Sequence, residues 1–166
     1  MKIHVNLDEP YLLETKYSIS FAIYWEHNNT FYPEENWVDF GVELPSFWTN
    51  RIVELVEQDH KEAEFDFMDG PYLLKAQYDH QSKLIQLFFE RTKAQYDHQS
   101  KQMKAFIERS NVAWEVSIDT IIKELIWAIK KIYIELEQKN KLNKYKNSLE
   151  NSLNNLNRCL SKVEAV

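Results

Sequence analysis

The sequence predicts an α+β fold: a small antiparallel sheet with one short helix, followed by a C-terminal long helical hairpin. Two patterns carry this reading. Up to about residue 110 the apolar residues alternate or gather in β-branched and aromatic runs, and after Ser117 they recur every three or four positions. Composition is the third observation. With 44% hydrophobic and 14% aromatic residues over 166 positions, and only two Gly and four Pro, the chain can bury one core, so 1–166 reads as a single domain.

Taken in order, YSISFAIYW at 17–25 is dense in β-formers, and His27-Asn28-Asn29 reads as a turn before Thr30, Phe31 and Tyr32, which makes a hairpin. Pro33 and Gly41 punctuate the stretch after it. Phe47, Trp48, Ile52, Leu55 and Val56 then fall at helical spacing, so 46–58 is expected to be an amphipathic helix starting at Ser46. EAEFDF at 62–67 sets Ala63, Phe65 and Phe67 against Glu62, Glu64 and Asp66, the period-two pattern of a half-buried strand, and Met68-Asp69-Gly70-Pro71 turns the chain.

Next comes a tandem duplication. KAQYDHQSKLIQLFFERT at 75–92 is followed at once by KAQYDHQSKQMKAFIERS at 93–110, with twelve of eighteen positions identical and nine of them consecutive. Two copies are too few for a solenoid. Each copy can be written as a strand, a DHQS turn and a strand, or as about five turns of helix. The β-prone YLL and LFF runs favour a hairpin for the first copy, whereas QMKAF in the second is the better helix former. On this reading 1–110 is mainly β and 111–166 mainly helical. Ser117 is a suitable N-cap for a helix over 118–138 with a wide apolar stripe, and Leu142, Tyr145, Leu149, Leu153, Leu156, Leu160 and Val163 form a narrower seam that an antiparallel partner helix could cover.

Composition also excludes functions. The aromatic content rules out disorder, and no apolar run approaches the length of a spanning helix. Charges interleaved through MKIHVNLDEPYLLETK are unlike a secretory signal, so a cytoplasmic protein is expected, consistent with a single Cys159. Gly41 and Gly70, alone and far apart, cannot form a phosphate-cradling loop. His4, His27, His60, His80 and His98 lack zinc-protease spacing, and no metal or cofactor is expected. Asp79-His80 and Asp97-His98 resemble carboxylate-oriented histidines but fall in expected turns. Asp66 and Asp69, three apart, could form an acid-base pair, yet Asp69-Gly70-Pro71 is ordinary turn chemistry. Cys159 has no activating base in sequence and reads as an inert thiol. The chain is therefore expected not to be an enzyme.

Charge is divided along the chain. Residues 1–72 hold fifteen acids and four bases, a balance of −11, and the remainder carries +5, together the net −6. An acidic face repels nucleic acid and steers basic partners; the plainer alternative is a solvated surface. Glu34, Glu35, Asp39, Glu43, Glu54 and Glu57 are the candidate partner-binding residues, each a charge partner for Lys or Arg. Trp37, Phe40, Phe47 and Trp48, interleaved with Asp39 and Glu43, read either as a core corner or as a binding hot spot, with core favoured for the tryptophans.

FYPEENWVDFGVELPSFW, followed by a helix, a strand and FMDGPY, resembles small bacterial immunity-type proteins encoded beside polymorphic toxins. The resemblance covers Tyr24 to Tyr72, under a third of the chain, and ends before the duplication. It implies a protein that binds and neutralises a partner toxin and transfers no catalytic residues. The alternative expectation is a structural module that forms a homodimer through the leucine seam from 142 to 163.

Overall fold

A computed structural model describes residues 1–97 and 102–165, and the side chains of these except at 94–97, 102–106 and 111–113. The α+β expectation holds: two antiparallel sheets are joined to a layer of three helices. The first sheet is built around one hub. β1 (Lys2–Asn6), β2 (Leu13–Glu14), β4 (Thr30–Tyr32) and β5 (Val38–Asp39) all pair antiparallel with β3 (Ile19–His27). Ile19 and every residue of β3 from Phe21 to Trp25 are buried, which is why this run is apolar on both faces rather than alternating.

The second sheet is a meander, β6 (Glu62–Asp66), β7 (Tyr72–Asp79), β8 (Leu84–Asp97) and β9 (Gln102–Ser117), in that spatial order. Phe65, Leu74, Ala76, Ile85, Leu87 and Trp114 lie on its core side. α1 (Glu43–Glu57), α2 (Ile118–Gln138) and α3 (Lys146–Glu164), with a 3-10 turn at Leu142–Lys144 between the last two, pack on one another and on the sheets. At the centre the Trp48 ring meets Trp25 edge-on at 5.2 Å and Phe67 at 5.2 Å, with Phe65 5.4 Å from Trp25.

Three boundaries differ from the sequence expectation. α1 starts at Glu43 rather than Ser46, because Pro45 falls in the first turn, where a missing N–H costs nothing, and Leu44 N–H donates to the Phe40 carbonyl. Residues 111–117, grouped in sequence with the mainly helical part, complete β9, and the helix begins at Ile118 as expected. The second copy of the duplication is strand, not helix. Its ladder, Lys93↔Phe106 to Asp97↔Gln102, repeats that of the first copy, Lys75↔Phe88 to Asp79↔Leu84, at a displacement of eighteen residues. QMKAF has adequate helix propensity, but the edge of β8 offers it a ready template, and pairing overrides a weak local preference.

The leucine seam is also filled within one chain. Leu149, Leu156, Cys159 and Val163 are buried, and Leu153 and Leu160 pack against the same core, because α3 lies on both α1 and α2. The uncovered apolar seam on which a homodimer would depend is therefore absent.

One free sheet edge is capped by side chains. On β1, Ile3 N–H donates to Glu124 Oε2 at 3.0 Å and Val5 C=O accepts Lys131 Nζ at 2.6 Å, so α2 occupies the groups that another strand would use.

Deleting residues 93–110 should give a folded protein, since β8 84–88 still pairs with β9 113–117 and only a short connection must close. Deleting 75–92 instead gives a chain of equal length in which Met, Ala and Ile replace Ile85, Leu87 and Phe89, of which the first two are fully buried. The first deletion is expected to retain stability within about 1 kcal/mol and the second to lose at least about 3 kcal/mol, measured by urea denaturation of both.

Candidate protein-binding surface

The segments FYPEENWVDF and FMDGPY meet in space. Tyr32 of β4 inserts its ring among Phe67 (5.5 Å), Tyr72 (6.0 Å) and Phe89 (4.8 Å) of the second sheet. Its hydroxyl accepts Leu73 N–H at 3.0 Å and shares its hydrogen between the carbonyls of Glu90 (2.7 Å) and Leu73 (2.9 Å). Glu90 borders the irregularity in the β8–β9 register. Burial pushes the Tyr32 phenol up to about 12, against a smaller lowering by its backbone hydrogen bonds, so it remains a donor at all physiological pH.

Asp39 makes the second junction. Its carboxylate accepts Trp37 Nε1–H (3.1 Å), Phe40 N–H (2.7 Å) and, from the turn after β6, Asp69 N–H (3.1 Å). The Trp37 ring lies 4.9 Å from Tyr72 and closes over Gly70, where any Cβ would sit 3.0 Å from the indole and where φ is +152°. Trp-x-Asp-Phe and Asp-Gly-Pro-Tyr are thus two halves of one structural knot.

This geometry rearranges the six candidate acids. Glu34 and Glu35 are exposed on the β4–β5 connection. Asp39 is 0% exposed and cannot meet a partner; the spacing that suggested a surface charge instead serves the knot. Glu43 is half-buried, with Oε2 enclosed and unpartnered. Glu54 accepts Arg51 Nη1–H through both oxygens at 2.9 Å. Glu57 accepts Arg158 from α3 at 2.6 and 2.9 Å, a hydrogen bond that holds its carboxyl below the usual range. Asp39 and Glu57 therefore bind other parts of the same chain, and the six do not form one face.

A different set of acids is free. Glu64, Asp66 and Asp69 are exposed, and none has a cationic partner among the described residues. Glu64 and Asp66 wall a groove of about 330 Å³ between β6 and α1, whose other lining includes Phe47, Arg51 and Met68. Phe47, expected on the inward stripe of the helix, is 52% exposed here and Met68 46%, while Trp48 is core as expected. The period-two acids of EAEFD were visible in the sequence; that β6 would be an edge strand was not.

The remaining candidates show no reactive geometry. Asp79 accepts Gln81 N–H and Ser82 Oγ–H in its own turn, while the His80 ring faces the His60 carbonyl (3.1 Å) and Asp59 (3.4 Å); in its copy, the Asp97 side chain and His98 lie outside what the structure describes. Burial pushes the Cys159 thiol up to about 11, so it is protonated at neutral pH. Among the described residues no three His, Cys, Asp or Glu converge as for a metal ion, and no helix is long and apolar enough to cross a membrane.

No family model, curated protein or solved structure matches the chain.

Two substitutions test the knot. Tyr32→Phe removes the hydroxyl from one backbone N–H and two carbonyls and is expected to cost about 1–3 kcal/mol in urea denaturation. Burial raises the Asp39 carboxyl above its ordinary value, outweighing the hydrogen bonds it accepts, so the folded state holds this proton more tightly than the unfolded chain. Its contribution is then greatest below about pH 4 and is lost as pH rises through the folded value. The stability difference between wild type and Asp39→Asn, measured across pH, should accordingly fall with rising pH and then level off.

Proposed function

We propose that this is a non-enzymatic protein-binding protein of the bacterial cytoplasm, an immunity-type protein that neutralises a basic toxin through an acidic surface. The observation that carries the reading is a group of exposed carboxylates with no ion pair among the described residues, Glu34, Glu35, Glu64, Asp66 and Asp69. Many other acids are neutralised internally, by Arg51, Lys75, Lys141 and Arg158 among others. Unpaired charge on a folded surface gives little stability and raises the rate of encounter with an opposite charge. The resemblance over Tyr24–Tyr72 supplies the class of partner.

Self-association through the C-terminal helices has no comparable support, since the seam is filled. A hydrolase based on Asp66 and Asp69 has none either, for Asp69 N–H is tied to Asp39 and Asp66 stands on an exposed strand face.

The test is a pull-down from host lysate at low and high salt, followed by assay of the captured protein. A stoichiometric basic partner that dissociates at high salt and loses toxic activity when bound is expected. Glu34→Lys/Glu35→Lys should slow association with it by at least about tenfold at low salt, with little change at high salt. Capture of the protein alone counts against the reading.

A further inference from the structure

The outer edge of β6 differs from that of β1. Lys61, Ala63, Phe65 and Phe67 direct their main-chain groups toward β7, as the bonds Tyr78 N–H to Lys61 O and Phe67 N–H to Tyr72 O at the two ends of the ladder show. The intervening residues therefore turn theirs outward. The Asp66 carbonyl is taken by Trp48 Nε1–H at 2.9 Å, but the N–H and C=O of Glu62 and Glu64 meet no partner among the described residues. Among the described residues no lysine or glutamate from a neighbouring helix caps them as α2 caps β1.

Beside this edge run the groove and its two exposed apolar side chains, Phe47 and Met68. Exposed edges invite another strand, and the charges here select which one. A second copy pairing through the same edge would set Glu62, Glu64 and Asp66 against their own like charges, a mismatch that destabilises cross-strand pairs. A strand that alternates Lys or Arg with apolar residues, paired at Glu62 and Glu64, would place a cation opposite Glu64 and beside Asp66 and an apolar side chain toward the groove that Phe47 and Met68 line.

We propose that β6 is a docking edge that receives an extended, alternately basic and apolar segment of the partner protein by antiparallel or parallel strand addition. This rests on the binding reading above and adds to it the place and the form of recognition. Backbone pairing provides the affinity, Glu64 and Asp66 the preference for a basic strand, and the groove the seat for an apolar anchor.

The experiment uses the whole protein and a fluorescent peptide of alternating Lys and Leu, followed by anisotropy. Saturable binding is expected. Three controls should each weaken it at least about tenfold: the same peptide N-methylated at alternate residues, an isomer with its Lys and Leu in separate blocks, and the Glu64→Lys/Asp66→Lys protein, whose fold is checked by circular dichroism. N-methylation acts on the ligand alone, so its effect stands even if the variant folds poorly. Absence of saturable binding to wild type, or equal binding of the N-methylated or block peptide, overturns strand addition. If the peptide fails while the intact protein still captures a basic, salt-sensitive partner, the docking edge is wrong and the binding function stands. If the peptide binds as expected and the host yields no partner, the edge stands and the immunity function falls.

Discussion

Tyr32 is where the two sheets become one structure. It is the last residue of a three-residue strand, yet its hydroxyl reaches two backbone carbonyls and one N–H on neighbouring strands of the other sheet, beside the irregularity in the β8–β9 register. A phenol suits this position for physical reasons. It buries a large apolar ring with few rotamers to freeze and carries its polar group at the far end, where the Leu73 and Glu90 backbone lies. Phenylalanine would fill the same space and leave those groups without the hydroxyl; serine would satisfy neither need. Asp39 repeats the principle nearby, with one carboxylate joining Trp37, Phe40 and Asp69. Both side chains tie backbone from segments distant in sequence.

The duplication shows what a repeat does when strands rather than helices receive it. β8 holds the second half of the first copy and the first half of the second, so the two hairpins share a strand. β7 ends its pairing at Tyr72↔Arg91, and beyond Thr92, whose N–H still reaches the Pro71 carbonyl, the described strand partner of β8 is β9. The same residue types then meet different surroundings. Phe89 packs against Tyr32 and Trp114, whereas Ile107, its counterpart eighteen residues on, is 66% exposed. The first copy thus contributes to the core, whereas the described side chains of the second, Lys93 and those at 107–110, are not part of it. Sequence identity between copies says little about equivalent burial, because burial depends on which strands flank each hairpin.

Legibility followed the length of each pattern. α2 spans Ile118–Gln138 as its apolar stripe implied, and the β3–β4 and β6 strands fall where alternation and turn chemistry placed them. β5, two residues long, has no period to read, and β1 carried a detectable alternation of Ile3 and Val5 that charged neighbours obscured. The candidate surface was less legible, and the reason is physical. Asp39 and Glu64 are both acids beside large apolar residues, and nothing local distinguishes them. One is enclosed by a turn thirty residues away, the other stands on the edge of a sheet. Which strand ends a sheet is a property of topology, and no window of sequence contains it.

The division of charge along the chain has the same origin. A −11 half followed by a +5 half suggests a strongly acidic face, but folding brings the halves together. Glu14 pairs with Lys141 and Glu57 with Arg158, each across more than a hundred residues. Exposed pairs of this kind contribute little stability, about 0–1 kcal/mol each, yet they remove the net field of the charges they join. Glu64 and Asp66 escape this cancellation because the cations beside them are engaged elsewhere, Arg51 by Glu54 and Lys75 by Glu62, and Glu34 and Glu35 because they occupy a connecting loop. The acidity available to a partner is therefore set less by the number of carboxylates in the first half than by where the second half leaves them uncovered.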